Sequence, residues 1–228
     1  MVKQRILQSL LSVLLLIGSG FCLKLCLANI IAARPLMSIV DLERTANVDN
    51  VKELTKHFNR MQTAIKLFPS NANFYTLAGR YHLLLNQSKQ AEYSLASTAQ
   101  FFAKAIELEP TAFQHQAWQT HYLYQHFGWS KDIDIKLSRA LEVGKYEKLS
   151  QQKLLPIAFE NWQKLSKTNQ LNTHKMLDNM FNTYINFFRQ AVRVAEKYCV
   201  LDLLVTHAIN AQQVNEIEAK KANQRRCK

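Results

Sequence analysis

The chain has 228 residues, of which 48% are hydrophobic and 20% charged, so it can bury a sizeable core and is not an intrinsically disordered chain. Five glycines and four prolines are too few for sheets joined by glycine-rich hairpins. The composition therefore predicts an all-α protein whose helices are joined by short turns.

The formal net charge of +12 would suit nucleic acid, anionic lipid or an acidic polymer as a partner. Lysines and arginines are scattered along the chain, however, and we expect no nucleic-acid partner. The one dense basic cluster is C-terminal and comprises Lys220, Lys221, Arg225, Arg226 and Lys228. We interpret residues 213–228 as a solvated basic tail, with contact to lipid headgroups or a polyanion as the alternative.

The N-terminus predicts a membrane anchor. Ile6–Leu23 is an uncharged run of 18 residues, about 27 Å long as a helix, which nearly spans a hydrocarbon core. The span could also slide to include Leu25–Ala33. Lys3 and Arg5 before the run favour a cytoplasmic N-terminus.

We therefore predict that residues 1–34 hold a cytoplasmic N-terminus and a transmembrane helix. The protein would then cross the membrane once, with residues 35–212 as a domain on the side opposite the N-terminus. A cleaved secretory signal is the competing interpretation, because the small residues Ala28, Ala32 and Ala33 follow the apolar run.

Apolar spacing predicts the helices that follow in chain order. A short helix over Ser38–Asn47 would be capped by Ser38, and a stronger one, capped by Asp49, would end at Pro69. Ser70 or Asn71 would cap the next helix, and a return helix would run from about Ser88 to Leu108.

A glycine inside a helix usually marks the close approach of another helix. Gly79 lies inside the first helix of this pair, and small residues recur on the second. We therefore expect the two helices to cross at Gly79, Ala91 and Ala105.

The stretch from Pro69 to Pro110 resembles a tetratricopeptide repeat. Tyr75, Gly79 and Ala91 fall where that motif wants an aromatic and two small residues, and Phe102 and Ala105 fit when counted back from Pro110. The prolines are 41 residues apart, against about 34 in the motif. We expect the surplus to lengthen the return helix by about two turns, within a domain that is repeat-like but not a regular array.

Five more helices are expected after Pro110. The first should run from Thr111 to Gly128, and the second from Ser130 to Gly144, with Gly144 as the residue after the helix end. A third should begin at about Ser150, with Pro156 near its first turn or at a kink. The longest should run from Asn172 or Thr173 to Tyr198, and a last one should begin at about Leu201.

No phosphate-binding glycine loop or catalytic motif occurs in the sequence. His115 and His126 are eleven residues apart, about 16 Å along a helix, which is too far to ligate one metal ion. We expect no cofactor, no metal and no catalytic residue. The aromatic residues His115, Trp118, Tyr122 and Trp129 are either core packing or an interaction surface for a peptide or sugar.

The four cysteines form neither a disulfide framework nor a metal-binding spacing. Cys22 and Cys26 lie in the apolar segment. For the other two we favour a buried free Cys199 over a Cys199–Cys227 bridge.

The C-terminal half resembles the VpsP-type proteins of bacterial exopolysaccharide gene clusters. The similar positions are Leu141-Glu142-Val143-Gly144 with Tyr146-Glu147, Asn161-Trp162 with Leu165, and Val200-Leu201-Asp202-Leu203-Leu204. The resemblance implies a non-catalytic accessory or scaffold protein in exopolysaccharide biosynthesis or export. It also implies a single-pass protein of the bacterial inner membrane, with residues 35–212 as a periplasmic domain. Its partners would be the polymerase, the flippase or the export machinery, with polysaccharide contact as a further expectation.

Two alternatives stay open. One is a periplasmic enzyme acting on glycans through a carboxylate such as Glu107, Glu109 or Glu160. The other is a peptide-binding, chaperone-like helical module.

Overall fold

The computed structural model describes residues 2–45, 51–88, 93–183 and 185–223, and all regular elements in these ranges are helices. The all-α class is thereby confirmed. The chain divides into two compact units, unit 1 over residues 1–109 and unit 2 over residues 110–228. This division differs from the boundaries at 34/35 and 212/213, both of which fall inside helices described below.

Unit 1 contains the helices α1 (Val2–Thr45), α2 (Val51–Leu67), α3 (Ala72–Gln87) and α4 (Leu95–Leu108). Its core joins small residues of α1 to larger residues of α2 and α3, among them Leu54, Met61, Leu77 and Tyr81.

Helix α1 passes through Pro35 without a break, so the separate helix over Ser38–Asn47 was a wrong expectation. Ser38 is no N-cap, because its hydroxyl donates to the Arg34 carbonyl oxygen one turn earlier. A proline inside a helix removes one backbone hydrogen bond. Packing offsets that loss here, since the side chains of Ala28, Ala32 and Ile39 are buried against unit 1.

Helices α3 and α4 form the predicted hairpin. Asn71 caps α3 by accepting from the Asn73 amide. Helix α4 begins only at Leu95, where the Ser94 hydroxyl accepts from the Ser97 amide, so the return helix is not lengthened. The surplus over the repeat motif lies before α4 instead. Residues 89–92, with the expected crossing residue Ala91, and the expected cap Asp49 lie outside the described residues.

Helix α4 approaches α3 at Gly79. A Cβ atom added there would lie 3.1 Å from the Phe102 ring and 3.2 Å from the Phe101 Cβ. Ala105 is fully buried further along α4.

Unit 2 contains the helices α5 (Phe113–Phe127), α6 (Lys131–Gly144), α7 (Lys148–Glu160), α8 (Lys167–Thr183), α9 (Ile185–Lys197), α10 (Asp202–Val205) and α11 (Ala211–Asn223), with one 3₁₀ turn over Trp162–Lys164. A mainly aliphatic cluster fills the unit, with Leu137, Leu141, Leu154 and Leu177 each fully buried.

Several helix limits in unit 2 differ from expectation. Ala112, not Thr111, precedes α5, and Pro156 lies in the second half of α7. Helix α8 already begins at Lys167, before the expected caps Asn172 and Thr173, and residue 184, between α8 and α9, lies outside the described residues. Thr173 lies inside α8, where its hydroxyl donates to the Asn169 carbonyl oxygen.

The reason for a glycine at position 144 also differs from the expectation that it follows the end of a helix. It is the last residue of α6 and does not have a positive φ. An added Cβ would collide with the Ser150 hydroxyl and lie 3.0 Å from the Phe113 Cβ. The glycine is thus required by close packing and not by a left-handed helix end.

Cys199 is disulfide-bonded, which corrects the expectation of a buried free thiol. Cys22 and Cys26 are free thiols, and Cys227 lies outside the described residues. The predicted basic tail belongs partly to the fold, because α11 extends to Asn223 and Ile217 on it is fully buried.

Candidate functional site

An open site lies in unit 1, in a groove between α2, α3 and α4 with a volume of about 630 Å³. We call it the α2–α4 groove. Its lining residues are Phe58, Asn59, Gln62, Tyr75, His82, Tyr93, Ser97, Gln100, Phe101 and Lys104.

Aromatic rings form the floor of this groove. Phe58 contacts the rings of His82, Tyr93 and Phe101 edge-on, with centroid distances of 5.4, 5.8 and 5.8 Å. His82 and Tyr93 are themselves 5.0 Å apart. Edge-to-face packing of this kind holds each ring in place, so the floor is preformed.

His82 is held by one hydrogen bond. Its Nδ1 lies 2.7 Å from the Thr98 hydroxyl oxygen, which itself donates to the Ser94 carbonyl oxygen. The hydroxyl has a single proton, so it accepts from His82, and Nδ1 carries the ring proton. Burial lowers the pKa of His82, which keeps the ring neutral near pH 7.

The rim of the groove is polar. The carboxamides of Asn59, Gln62 and Gln100 are exposed, and Lys104 is paired with Glu107 at 2.6 Å. No aspartate or glutamate is among the described lining residues. Aromatic faces with neutral amides can bind an extended peptide or a sugar chain, but they supply no carboxylate pair for general acid–base chemistry.

The expected aromatic surface lies in the interior instead. His115, Trp118 and Tyr122 are 0 to 5% exposed, and Trp129 is half-buried against the core of unit 2. Of the two alternatives, this burial fits core packing and not an interaction surface, because a buried ring leaves no face for a ligand. Lys153 Nζ lies 3.9 Å from the Trp118 ring centroid and covers it.

The three candidate carboxylates do not form one site. Glu107 is exposed and paired with Lys104 in unit 1. Glu109 is half-buried at the end of α4, and Glu160 is exposed at the end of α7 in unit 2. No geometry in the described residues brings two of them together across a cleft.

Unit 2 contains a cluster that the sequence did not reveal. Asp178 Oδ1 lies 2.6 Å from His207 Nδ1, and His207 Nε2 lies 2.8 Å from His174 Nδ1. Burial and the neighbouring His207 lower the pKa of His174. The described residues contain no group of three or more ligands able to hold a metal ion, so the cluster is a hydrogen-bonded chain joining α8 to the α10–α11 turn.

One helix among the described residues, α1, is long and apolar enough to cross a membrane. Every side chain from residue 11 to residue 24 is exposed, including Leu14, Leu16 and Ile17. Within this stretch Phe21 still contacts Phe68, with centroids 6.1 Å apart, and further along Ala28, Ala32 and Ile39 of α1 are buried against α2 and α3.

No protein-family model, curated protein or solved structure matches this chain.

Sequence reasoning missed the α2–α4 groove because its residues come from three helices and share no motif. One signal was available: His82 interrupts the apolar run Tyr81 to Leu85, where a polar ring needs a partner. For the cluster at Asp178 there was no comparable signal, since His207 is 29 residues away.

Proposed function

We propose that the protein is a membrane-anchored, non-catalytic scaffold of bacterial exopolysaccharide biosynthesis or export. The observation that supports it best is the α2–α4 groove, an open aromatic site on a helical unit in which α2 and α3 pack against the anchor helix α1. The resemblance to VpsP-type proteins supplies the pathway, and the groove supplies a means of holding a partner.

The limits of the membrane span follow from the packing of α1. Ala28, Ala32 and Ile39 are buried in unit 1, so this part of α1 cannot also face lipid on all sides. Residues 11–23 are exposed all round, and the uncharged run Ile6–Leu23 that contains them has a length that matches the hydrocarbon core. We therefore place the span at Ile6–Leu23 and not over Leu25–Ala33, with the Phe21–Phe68 contact at the membrane surface, where aromatic residues are favoured.

Two observations favour a periplasmic location for both units. Lys3 and Arg5 precede the apolar run, and basic residues favour the cytoplasmic side. Cys199 is disulfide-bonded, and disulfides persist in oxidising compartments such as the periplasm.

The groove suits an extended segment of a partner protein, such as a loop of the polymerase, flippase or exporter. Aromatic floors and neutral rims bind such segments through apolar contact and hydrogen bonds. A sugar chain is the second occupant to test, because Tyr75 and Phe101 line the groove and rings of this kind also bind sugars.

The function is tested by deleting the gene and measuring the amount and chain length of surface polysaccharide. We expect shorter or less abundant polymer, and unchanged polymer would refute the proposal. Complementation with Glu107→Gln, Glu109→Gln and Glu160→Gln should restore the polymer fully, whereas the glycan-acting enzyme would lose function in at least one of them.

The groove is tested in the same strain with a matched pair of variants. Gln100→Trp places a large ring in the groove from its exposed rim, and Gln125→Trp makes the same change on the exposed surface of α5. We expect the first to resemble the deletion and the second to resemble the wild type. Normal polymer with Gln100→Trp would show that the groove is not the working site.

Topology has its own test. In a chain with Cys22→Ser and Cys26→Ser, which removes the two free thiols, a cysteine introduced for Gln125 should react with a membrane-impermeant maleimide in intact spheroplasts, because the proposal places unit 2 outside the cytoplasm. Labelling only after lysis would place it in the cytoplasm.

A further inference from the structure

A second, smaller cavity of unit 1 has a different chemistry from the α2–α4 groove. It has a volume of about 240 Å³ and lies between α1 and the first two turns of α2. Its described lining residues are Arg34, Lys52, Glu53, Lys56 and His57. We call it the α1–α2 pocket.

The pocket concentrates positive charge. Arg34, Lys52 and Lys56 against the single carboxylate of Glu53 leave a formal charge of +2. Lys52 and Lys56 are one helical turn apart, so they face the same side of α2. Glu53 and His57 are also one turn apart and likewise share a side. The pocket also lies at the N-terminal end of α2, where the helix dipole favours an anion.

His57 provides the second, independent observation. Its side chain is 2% exposed, and neither Nδ1 nor Nε2 has a hydrogen-bond partner within the described residues. Glu53 Oε1 is 3.5 Å from Nε2, too far for a well-formed hydrogen bond. Buried polar groups are nearly always satisfied, so an unsatisfied ring lining a cavity indicates a group that is supplied from outside.

The surroundings of His57 fit an acceptor ligand. Desolvation lowers the pKa of His57, and the charges of Arg60 and Arg34 lower it further while Glu53 acts in the opposite direction. On the remaining side, the Tyr81 ring is 5.5 Å away by centroids. The neutral ring has one N–H to donate, and an oxyanion would accept it while neutralising the cations around it.

We propose that the α1–α2 pocket binds a doubly charged phosphate-type oxyanion through Arg34, Lys52, Lys56 and His57. The net charge of +2 matches a phosphate monoester or diphosphate better than a single carboxylate. The volume equals that of about eight water molecules, enough for such a group but not for a polymer. The site is separate from the α2–α4 groove and does not depend on the function proposed for it.

The phosphate can come from a soluble molecule or from a lipid-linked one. Arg34 lies ten residues beyond Lys24 on the same helix, about 15 Å further from the membrane. An ordinary headgroup layer extends only about 5–8 Å beyond the hydrocarbon core. A membrane-borne ligand would therefore have to carry its phosphate well above the surface.

Binding is measured on the full chain in neutral detergent micelles by calorimetric titration with inorganic diphosphate at constant ionic strength. We expect saturable binding, with acetate at the same ionic strength giving none. In parallel, the ring ¹⁵N signals of His57, assigned through their loss in His57→Gln, should shift on addition of diphosphate.

Two matched double variants distinguish binding in the α1–α2 pocket from general electrostatic attraction to a basic protein. Lys52→Gln with Lys56→Gln should weaken binding by about tenfold or more, since charge-assisted hydrogen bonds are lost. Lys148→Gln with Lys167→Gln removes the same charge from exposed first residues of α7 and α8 and should leave it unchanged. All four lysines are exposed, so neither pair should impair folding.

The source is identified with the full chain in phosphatidylcholine nanodiscs, with and without phosphatidylinositol 4-phosphate, whose monoester phosphate stands above the glycerol phosphate layer. A shift of the His57 signals on this lipid alone, reversed by diphosphate, would identify a lipid-borne phosphate, and no shift until diphosphate is added would identify a soluble one. Absence of saturable binding, or equal weakening by the two lysine pairs, would overturn the proposal.

Discussion

The two units place polar side chains differently. In unit 2 the amide NH2 groups of two buried residues donate within the unit: Asn169 donates to the Asp134 carbonyl oxygen at 2.8 Å, and Gln151 donates to Asn179 at 2.9 Å. In unit 1 the polar rings of His57 and His82 line open cavities. Internal bonding stabilises a fold, whereas rings at a cavity are available to a ligand, so we expect unit 1 to bind and unit 2 to support.

If unit 2 is the supporting unit, its stability should depend strongly on pH through His121. Burial, with a smaller contribution from the charge of Lys153, lowers the pKa of His121 to about 3. The unfolded chain then binds the proton more readily, so stability is complete above about pH 6.5 and falls as the pH drops toward 3. We expect unit 2 to lose about 3 kcal/mol between pH 7 and pH 4.5 from this residue.

The measurement is urea unfolding of the full chain followed by tryptophan fluorescence, because Trp118, Trp129 and Trp162 all lie in unit 2. His121→Asn should remove most of the loss between the two pH values. An unchanged loss in this variant would show that another group controls the acid sensitivity.

Alanine substitutions at Gly79 and Gly144 compare how well the two units tolerate an added methyl group at a close helix contact. At Gly144 the neighbours of an added Cβ are the Ser150 side chain and the Phe113 Cβ, which cannot move without the backbone. At Gly79 the two nearest atoms, at 3.1 Å, belong to the Phe102 ring, which can tilt, and the Phe101 Cβ lies at 3.2 Å, so the contacts are less close than at Gly144. We expect Gly144→Ala to destabilise unit 2 by about 2 kcal/mol.

Gly79→Ala should be nearly neutral, because alanine gains about 1 kcal/mol of helix propensity against the tight contact. The stability of Gly144→Ala is measured by urea unfolding followed by tryptophan fluorescence. That of Gly79→Ala is measured by amide hydrogen exchange of α3 and α4. A larger effect at Gly79 than at Gly144 would reverse the expected order of rigidity.

The sequence was sufficient for what local patterns determine. The class, the apolar run of α1 and the caps Asn71 and Ser130 follow from spacing and residue type. It was insufficient where distant contacts decide: Pro35 reads as a helix end, yet burial on unit 1 carries α1 through it. The two cavities were missed for the same reason, since Arg34 and His57 become neighbours only when α1 packs on α2.

The end of α9 offers a smaller test that applies to unit 2. Cys199 has a φ of 60°, and the Val200 amide donates to the Ala195 carbonyl oxygen at 3.0 Å, as in a helix end that usually carries glycine. Under reducing conditions, where the disulfide does not contribute, Cys199→Gly should be about 1 kcal/mol more stable than Cys199→Ser. Urea unfolding by tryptophan fluorescence decides this, and equal stabilities would mean that the backbone relaxes away from the positive φ.

The smallest effect concerns how firmly α1 is joined to unit 1. Arg80 on α3 makes two 2.8 Å hydrogen bonds to Glu43 of α1, and both side chains are largely shielded, at 13% and 25% exposure. Arg139 and Glu142 in unit 2 form a pair of similar length, 2.7 Å, with 46% and 63% exposure. Solvent screens the second pair, so Glu43→Gln should cost about 0.5–1 kcal/mol and Glu142→Gln about 0.3 kcal/mol or less.

Hydrogen exchange of α3 in the full chain measures the first variant, and tryptophan fluorescence measures the second. If Glu43→Gln leaves α3 exchange unchanged, the buried alanines of α1 and the Tyr81 hydroxyl, which donates to the Pro35 carbonyl oxygen at 2.7 Å, suffice to hold the helix. If amide hydrogen exchange rises along α3, the Arg80–Glu43 ion pair holds the C-terminal end of α1 in place. The α1–α2 pocket would then depend on it, because Arg34 is carried on that same helix.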